Sequence, residues 1–145
     1  MFVIDTNVLL YSVNRRAREH EACRQLVERH RTDPLPWAVT WTILYEFLRV
    51  STHPRVFEHP LSSKMAWSCV DSLLASPSLQ VLVGGPRHRE VARRTFAELP
   101  DLRGNLVHDA HTAILMREHG VRTIYTRDTD FHRFPFLEVV DPMAA

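Results

Sequence analysis

Short runs of apolar residues alternate along the chain with longer segments in which apolar positions recur every three or four residues. Such short runs are typical of buried strands and cover residues 2–4, 37–40, 79–83, 123–126 and 137–140. The longer segments have helical spacing and cover about residues 8–14, 19–31, 42–51, 63–75, 87–98 and 105–119. This alternation is typical of βαβ units, so we predict a three-layer α/β/α sandwich around a mostly parallel sheet of five strands.

The segment 42–51 is apolar on nearly every side, so we expect this helix to be mostly buried. Glu46 lies in its middle. A buried carboxylate without a partner is costly. We therefore expect Glu46 either to pair with an arginine such as Arg49 or to face a functional cleft.

Composition limits the class of protein. The chain has 145 residues, enough for one compact domain over residues 1–145, with 45% apolar and 24% charged residues. Its formal net charge of +1 excludes a strong overall basic field. Cys23 and Cys69 form no CxxC pair and are expected to be reduced cysteines of a cytoplasmic protein. A strand at residue 2 leaves no room for a signal peptide, and no apolar run approaches the roughly 20 residues that span a bilayer.

Four acidic residues occupy related places in this pattern. Asp5 and Asp128 follow apolar strands at their carboxyl ends, while Glu46 and Asp109 lie on mostly apolar helices. If the strands that precede Asp5 and Asp128 are neighbours, all four can converge where open α/β sheets bind ligands. Carboxylates this close raise each other's pKa unless a cation lies among them. Oxygen donors without His or Cys suit Mg²⁺ or Mn²⁺, which can activate water toward a phosphodiester.

Each of these acids also has a purely structural explanation. Asp5 suits the N-cap of a helix, Glu46 can pair with an arginine, and Asp109 suits the positive end of its helix dipole. Asp128 suits a turn. Because four such coincidences are improbable together, we favour the metal-site hypothesis.

Several neighbouring residues are secondary candidates. Asp130 is a weaker candidate than Asp128 because it lies farther from the strand end, and whether Asp130 or Thr126 contributes to the site stays open. Thr6, Asn7 and Thr126 could orient the metal ligands through hydrogen bonds. His108 and His111 flank Asp109 and could form half a metal site, although a solvated and a packed histidine are the more ordinary explanation.

At this point four motifs resemble those of PIN domains, and in particular of VapC-type toxins. Residues 2–10 (FVIDTNVLL) resemble the opening motif, and residues 42–50 followed by 52–57 resemble the second. Residues 105–113 (NLVHDAHTA) resemble the third motif, and residues 126–131 (TRDTDF) resemble the fourth. Each motif alone is weak, but the ordered set spans nearly the whole chain.

The resemblance implies a PIN fold with five parallel strands and the activity of a Mg²⁺- or Mn²⁺-dependent endoribonuclease. It implies that the protein is the toxin of a type II toxin–antitoxin pair, with RNA as substrate. The resemblance also implies an acidic catalytic site made of Asp5, Glu46, Asp109 and Asp128. Of these four, Asp5 and Asp109 are the best-supported metal ligands. Homodimerisation and inhibition by a VapB-like antitoxin are likewise implied by the family. No departure occurs at the four acids.

Two other hypotheses compete with this one. A non-catalytic RNA-binding module that blocks translation by occupancy is suggested by the arginines at 87, 89, 93 and 94, although a solvated helix face explains them equally well. A haloacid-dehalogenase-like phosphatase or a response-regulator receiver would also place a carboxylate after the first strand. Those two families call for a lysine late in the chain, whereas the only lysine is Lys64. We therefore rank this last hypothesis lowest.

Overall fold

The computed structural model describes residues 1–144 and contains a five-stranded sheet covered by helices. The strands are β1 (Phe2–Ile4), β2 (Trp37–Thr40), β3 (Leu79–Leu82), β4 (Thr123–Tyr125) and β5 (Glu138–Val140). The α-helices are α1 (Thr6–Val13), α2 (His20–Thr32), α3 (Trp41–Ser51), α4 (Ser63–Leu74), α5 (His88–Glu98) and α6 (Leu106–Glu118). A 3-10 helix covers Thr129–Arg133. The predicted α/β sandwich is confirmed.

The sheet has the strand order β3-β2-β1-β4-β5, and every pair of neighbouring strands is parallel. The chain first builds outward from β1 through β2 to β3 and then crosses to β4 on the other side of β1. Because crossovers between parallel strands are right-handed in nearly all proteins, this change of direction implies that the helices of the two halves lie on opposite faces of the sheet. The point where the strand order reverses lies between β1 and β4, and this is where open α/β sheets form a ligand crevice.

The central strands of the sheet are buried on both faces. Val3, Ile4, Ala38, Val39 and Ile124 are all 0% exposed, as expected for parallel strands beneath two helical layers. The register pairs Val3 with Ile124 and Ile4 with Tyr125. The residues that follow β1 and β4 therefore emerge side by side at one edge of the sheet.

Two helix starts differ from the sequence prediction. Helix α1 begins at Thr6 rather than at Val8, because the Asp5 side chain accepts a hydrogen bond from the Thr6 backbone N–H and caps the helix. Helix α6 begins at Leu106 rather than at residue 105; the preceding Asn105 has helical backbone angles, and its side chain makes no capping hydrogen bond. The end of α6 near residue 119, as predicted, has a clear physical basis, because Gly120 has φ +71°, where glycine avoids the Cβ clash.

The expectation that the third helix is mostly buried was wrong for one of its faces. Ile43, Leu44 and Phe47 are buried, but Trp41 is 39% exposed and Tyr45 is 65% exposed. The 3-10 helix after β4 was also absent from the sequence prediction. Among residues 1–144, no helix combines the length and the apolar character needed to cross a bilayer.

Candidate active site

A cleft with a volume of about 540 Å³ opens where β1 and β4 end, beside α1, α3 and α6. The strands that precede Asp5 and Asp128 are direct neighbours, as the predicted convergence required. The structure brings the four predicted acids into this one cleft together with a fifth. The acids that line it are Asp5, Glu46, Asp109, Asp128 and Asp130.

Asp5 is held in place by hydrogen bonds on both of its carboxylate oxygens. The backbone N–H of Thr6 donates to Oδ1 over 2.7 Å. The Thr126 hydroxyl donates to Oδ2 over 2.8 Å, and the Asn7 amide donates to the same oxygen over 3.2 Å. Asp5 is only 8% exposed. The structural explanation of this residue holds, since it caps α1, and the residue also lines the cleft.

Thr126 connects the loops that follow β1 and β4. Its hydroxyl donates to Asp5 and accepts hydrogen bonds from the Asn7 amide over 2.9 Å and from the Asp128 backbone N–H over 3.0 Å. A hydroxyl has one donor and two acceptor positions, so all of its hydrogen-bonding capacity is used. Thr126 is 1% exposed. This network orients Asp5 and the turn of Asp128 relative to each other.

Arg127 extends this network away from the cleft. Its backbone N–H donates to the Asn7 side-chain oxygen over 3.1 Å. Its guanidinium group donates from Nη1 to Glu19 over 2.9 Å and from Nε to Asp141 over 3.1 Å. The residue therefore ties the turn after β4 to the start of α2 and to the segment that follows β5. Sequence reasoning gave Arg127 no role, because both ion-pair partners are distant along the chain.

Asp130 reaches the cleft because the chain turns back immediately after Asp128. The Asp128 side chain accepts a hydrogen bond from the Asp130 backbone N–H over 2.9 Å and caps the 3-10 helix. Asp109, Asp128 and Asp130 each present a carboxylate oxygen within 4.8 Å of the others. From the sequence, Asp130 is a weaker candidate because it lies farther from the end of β4 along the chain. The tight turn after Asp128 nevertheless brings its carboxylate to the cleft.

The crowding of carboxylates changes their acidity. Burial, opposed by hydrogen bonds from Thr126 and Thr6 and reinforced by the charges of Asp128 and Glu46, raises the pKa of Asp5 to about 6. Burial and the charges of neighbouring carboxylates raise the pKa of Asp109 to about 7. Among residues 1–144, no hydrogen bond to Asp109 acts to lower this pKa. The cleft is therefore an environment in which additional positive charge is favoured.

Glu46 lies at the rim of this cleft. Arg49 donates to it from Nε over 3.1 Å, and this hydrogen bond lowers the pKa of Glu46 below its usual value. The Glu46 side chain is 45% exposed, so the expectation of a charge buried in an apolar helix was wrong. The two alternatives for Glu46 are not exclusive, since it pairs with Arg49 and also lines the cleft.

The two histidines beside Asp109 have different surroundings. His108 is exposed and lines the cleft. His111 is half-buried, and its Nδ1 lies 2.8 Å from the Thr42 hydroxyl. Within residues 1–144, the one group of side chains close enough to share a metal ion is carboxylate only and includes neither histidine.

Comparisons with known proteins point to one family. The PIN domain model matches residues 2–137. Ribonuclease VapC43 of Mycobacterium tuberculosis is 38% identical over 143 residues, which cover 99% of this chain and 96% of that protein. Ribonuclease VapC48 of the same species is 33% identical over 140 residues, covering 97% and 96%. The crystal structure of M. tuberculosis VapC20, a toxin that cleaves the sarcin–ricin loop, has a TM-score of 0.70 at 20% identity and covers 97% of this chain and 100% of that one.

Proposed function

This chain belongs to the PIN domain family, among its VapC ribonucleases, and on that premise we propose that it is a metal-dependent endoribonuclease and the toxin of a type II toxin–antitoxin pair. The proposed substrate is RNA, and the proposed reaction is hydrolysis of a phosphodiester bond. The observation that carries the proposal is the convergence of five carboxylates in one cleft, with the pKa of Asp5 raised to about 6 and that of Asp109 to about 7.

The donor set fits a hard divalent cation. The cleft offers carboxylate oxygens, the donors that Mg²⁺ and Mn²⁺ prefer. Oxygens of Asp109, Asp128 and Asp130 lie within 4.8 Å of one another. We propose Mg²⁺ or Mn²⁺ as the cofactor, held by Asp5, Asp109 and Asp128 with Glu46 as a further ligand. When bound, such an ion supplies activation of water and stabilisation of the charge that develops on the phosphate.

The protein's own residues have distinct proposed roles. Asp5 is fixed by its hydrogen bonds before any ligand arrives, so little reorganisation is needed when substrate binds. Asp109, whose pKa is about 7, holds its proton near neutral pH and releases it when positive charge enters the cleft, because a nearby cation lowers this pKa. Glu46 stays ionised because Arg49 lowers its pKa, which suits it to orient a water molecule or to act as a ligand. Asp130 is an additional candidate metal ligand beside Asp109 and Asp128.

Partners and location follow from the family as proposals. The solved complex of VapBC2 from Rickettsia felis, bound to a DNA fragment from its promoter, contains a toxin of this fold. We propose that a VapB-like antitoxin binds this chain and that the protein acts in the cytoplasm. Homodimerisation and the single-domain organisation over residues 1–145 stay predictions.

The test is cleavage of total cellular RNA by the purified, antitoxin-free protein, with Mg²⁺, Mn²⁺ or EDTA. Discrete cuts that require metal and disappear in Asp5→Asn and Asp109→Asn are expected, because each variant removes a carboxylate from the cleft. Asp101→Asn is the matched control, since Asp101 is exposed in the loop between α5 and α6. Sequencing the cut ends would identify the RNA. Equal cleavage by the parent and both cleft variants would refute the assignment.

The alternative of a non-catalytic RNA-binding module is not favoured, because the full-length relatives are named ribonucleases. The arginines that suggested it are partly engaged in local pairs. Arg93 pairs with Glu90 and Arg94 pairs with Glu98 on the exposed side of α5. This geometry is that of a solvated helix face.

A further inference from the structure

We propose that Trp41 and Tyr45 form a stacking surface for unpaired RNA bases at the edge of the acidic cleft. This inference rests on the proposed function and narrows its substrate class to RNA with unpaired bases next to the cleaved bond. The two residues, called here the aromatic pair, are the exposed aromatic side chains of α3. They account for the face of α3 that the sequence predicted to be buried.

The aromatic pair has the geometry of a platform open to solvent. Trp41 and Tyr45 are one helical turn apart, so their side chains lie on the same face of α3. Their ring centroids are 6.1 Å apart and their planes are tilted by 45°. Trp41 is 39% exposed and Tyr45 is 65% exposed. Each ring therefore keeps surface on which a base can stack.

The aromatic pair is continuous with the cleft. Thr42 and Glu46, which directly follow the two rings in sequence, both line the cleft. Arg49 lies one further turn along the row of the aromatic pair and also lines the cleft. The row from Trp41 to Arg49 spans about 12 Å at the rise of an α-helix, and this length matches about three stacked bases at 3.4 Å each. A base on Tyr45 therefore places its strand beside the carboxylates.

Charge explains why such a surface is needed. The cleft carries five carboxylates, which repel an RNA backbone, and the formal net charge of the chain is only +1. Stacking of bases on aromatic rings needs no charge and tolerates any sequence. Unpaired bases are also the part of an RNA that proteins read most readily, because they can be splayed out onto aromatic rings.

A second copy of the chain is the other candidate occupant of this surface, but the surroundings of the aromatic pair favour RNA. The charged side chains of Arg49 and Glu46 adjoin the aromatic pair, and they are 63% and 45% exposed. Aromatic residues and arginine are common in protein interfaces, whereas glutamate is depleted there, so the exposed Glu46 beside the rings disfavours a second copy. A nucleic acid instead brings phosphates within reach of the arginine, which suits phosphate contacts.

The test measures binding rather than cleavage. A fluorescent oligoadenylate of about ten nucleotides is titrated with the protein in EDTA, and an abasic oligomer with the same number of phosphates serves as the second probe. Trp41→Ala and Tyr45→Ala are each expected to weaken oligoadenylate binding about tenfold. Trp41→Phe and Tyr45→Phe keep a ring and should bind nearly as the parent does. The abasic oligomer should bind weakly and equally to all five proteins.

Two results would overturn the proposal. One is oligoadenylate binding by both alanine variants at the parent's affinity. The other is a loss of binding that occurs only together with a fall in molecular mass by light scattering, which would make the aromatic pair a contact between copies. The binding assay contains no metal and needs no turnover. If the alanine variants lose oligoadenylate affinity but the parent shows no metal-dependent cleavage, the proposed function alone is refuted. If the parent cleaves RNA but the alanine variants bind oligoadenylate as the parent does, the stacking surface alone is refuted.

Discussion

Asp109→Asn should stabilise the metal-free protein at neutral pH while it abolishes cleavage. The Asp109 carboxylate is half-buried among Asp5, Asp128 and Asp130, and these surroundings raise its pKa to about 7 from an ordinary value of 3.8. Ionising Asp109 therefore costs more in the folded than in the unfolded protein. Asparagine has nearly the same shape and no charge, so the variant avoids this cost.

The sign and the pH window follow from these two pKa values. Between pH 3.8 and about 7 the folded protein holds a proton on Asp109 that the unfolded chain has already released, so the free energy of unfolding falls as the pH rises through this window. The difference corresponds to about 4 kcal/mol for a fully shielded group. Asp109 is partly exposed, so solvent screening reduces the expected stabilisation by Asp109→Asn to roughly 1–2 kcal/mol above neutral pH.

Urea denaturation in EDTA measures this difference. At about pH 8 the midpoint of Asp109→Asn should lie roughly 0.5–1 M above that of the parent. The gap should narrow toward about pH 4, where the Asp109 carboxyl is neutral in the folded state and only about half ionised in the unfolded chain. Saturating Mn²⁺ should reverse the order, because metal binding stabilises only the protein that holds it well.

The control is Asp101→Asn, which removes an equal charge from an exposed loop and should leave the midpoint nearly unchanged. An Asp109→Asn variant less stable than the parent at about pH 8 in EDTA would show that the carboxylate makes a net favourable contribution to the fold. A stabilisation equal at both pH values would show that charge is not its cause. Either result would refute the electrostatic reasoning.

Three further predictions test other parts of the network. Thr126→Val removes the hydroxyl that holds Asp5 and should lower the rate of RNA cleavage about 10- to 100-fold, whereas Thr126→Ser should keep most of this rate. A valine variant that cleaves as fast as the parent would contradict the role of Thr126 in holding Asp5. Arg127→Met breaks both ion pairs of this half-buried guanidinium and should lower the free energy of unfolding by about 1–2 kcal/mol. Urea denaturation measures the change, with Arg127→Lys as the variant that keeps the charge. A midpoint equal to that of the parent would contradict this prediction. Mn²⁺ affinity, measured by calorimetry, should fall about tenfold or more from about pH 8 to about pH 5, because protons compete with the metal for the carboxylates of Asp109 and Asp5. An Mn²⁺ affinity that does not change with pH would contradict this prediction.

Local patterns predicted most of the fold. The central strands are short apolar runs buried on both faces, so composition alone distinguishes them. Alternation with helices then implied a parallel sheet, and the sheet brings the residues after its neighbouring strands to one edge. That Asp5 and Asp128 lie in one cleft follows from this topology, with no knowledge of any contact. The chemical roles of these acids stay a prediction until cleavage is measured.

The features that escaped prediction depend on distant contacts or on very short elements. The 3-10 helix Thr129–Arg133 is too short for a periodic pattern, and it is what carries Asp130 back to the cleft. The exposure of Tyr45 was missed because apolar periodicity does not distinguish a core ring from one left open to solvent. The ion pairs of Arg127 join residues 108 and 14 positions away, and no local pattern reports them.

The hydrogen bond between Thr126 and Asp5 joins residues 121 positions apart, and this separation matters while the chain is being made. A ribosome adds roughly 5–20 residues per second, so Asp5 exists for many seconds before β4 and Thr126 have been synthesised. During that time the nascent chain has neither β4, one of the two strands that pair with β1, nor the carboxylates of Asp128 and Asp130. The acidic cleft is therefore assembled only at the end of synthesis, and a prematurely terminated chain that lacks β4 carries no complete site with which to attack the RNA around it.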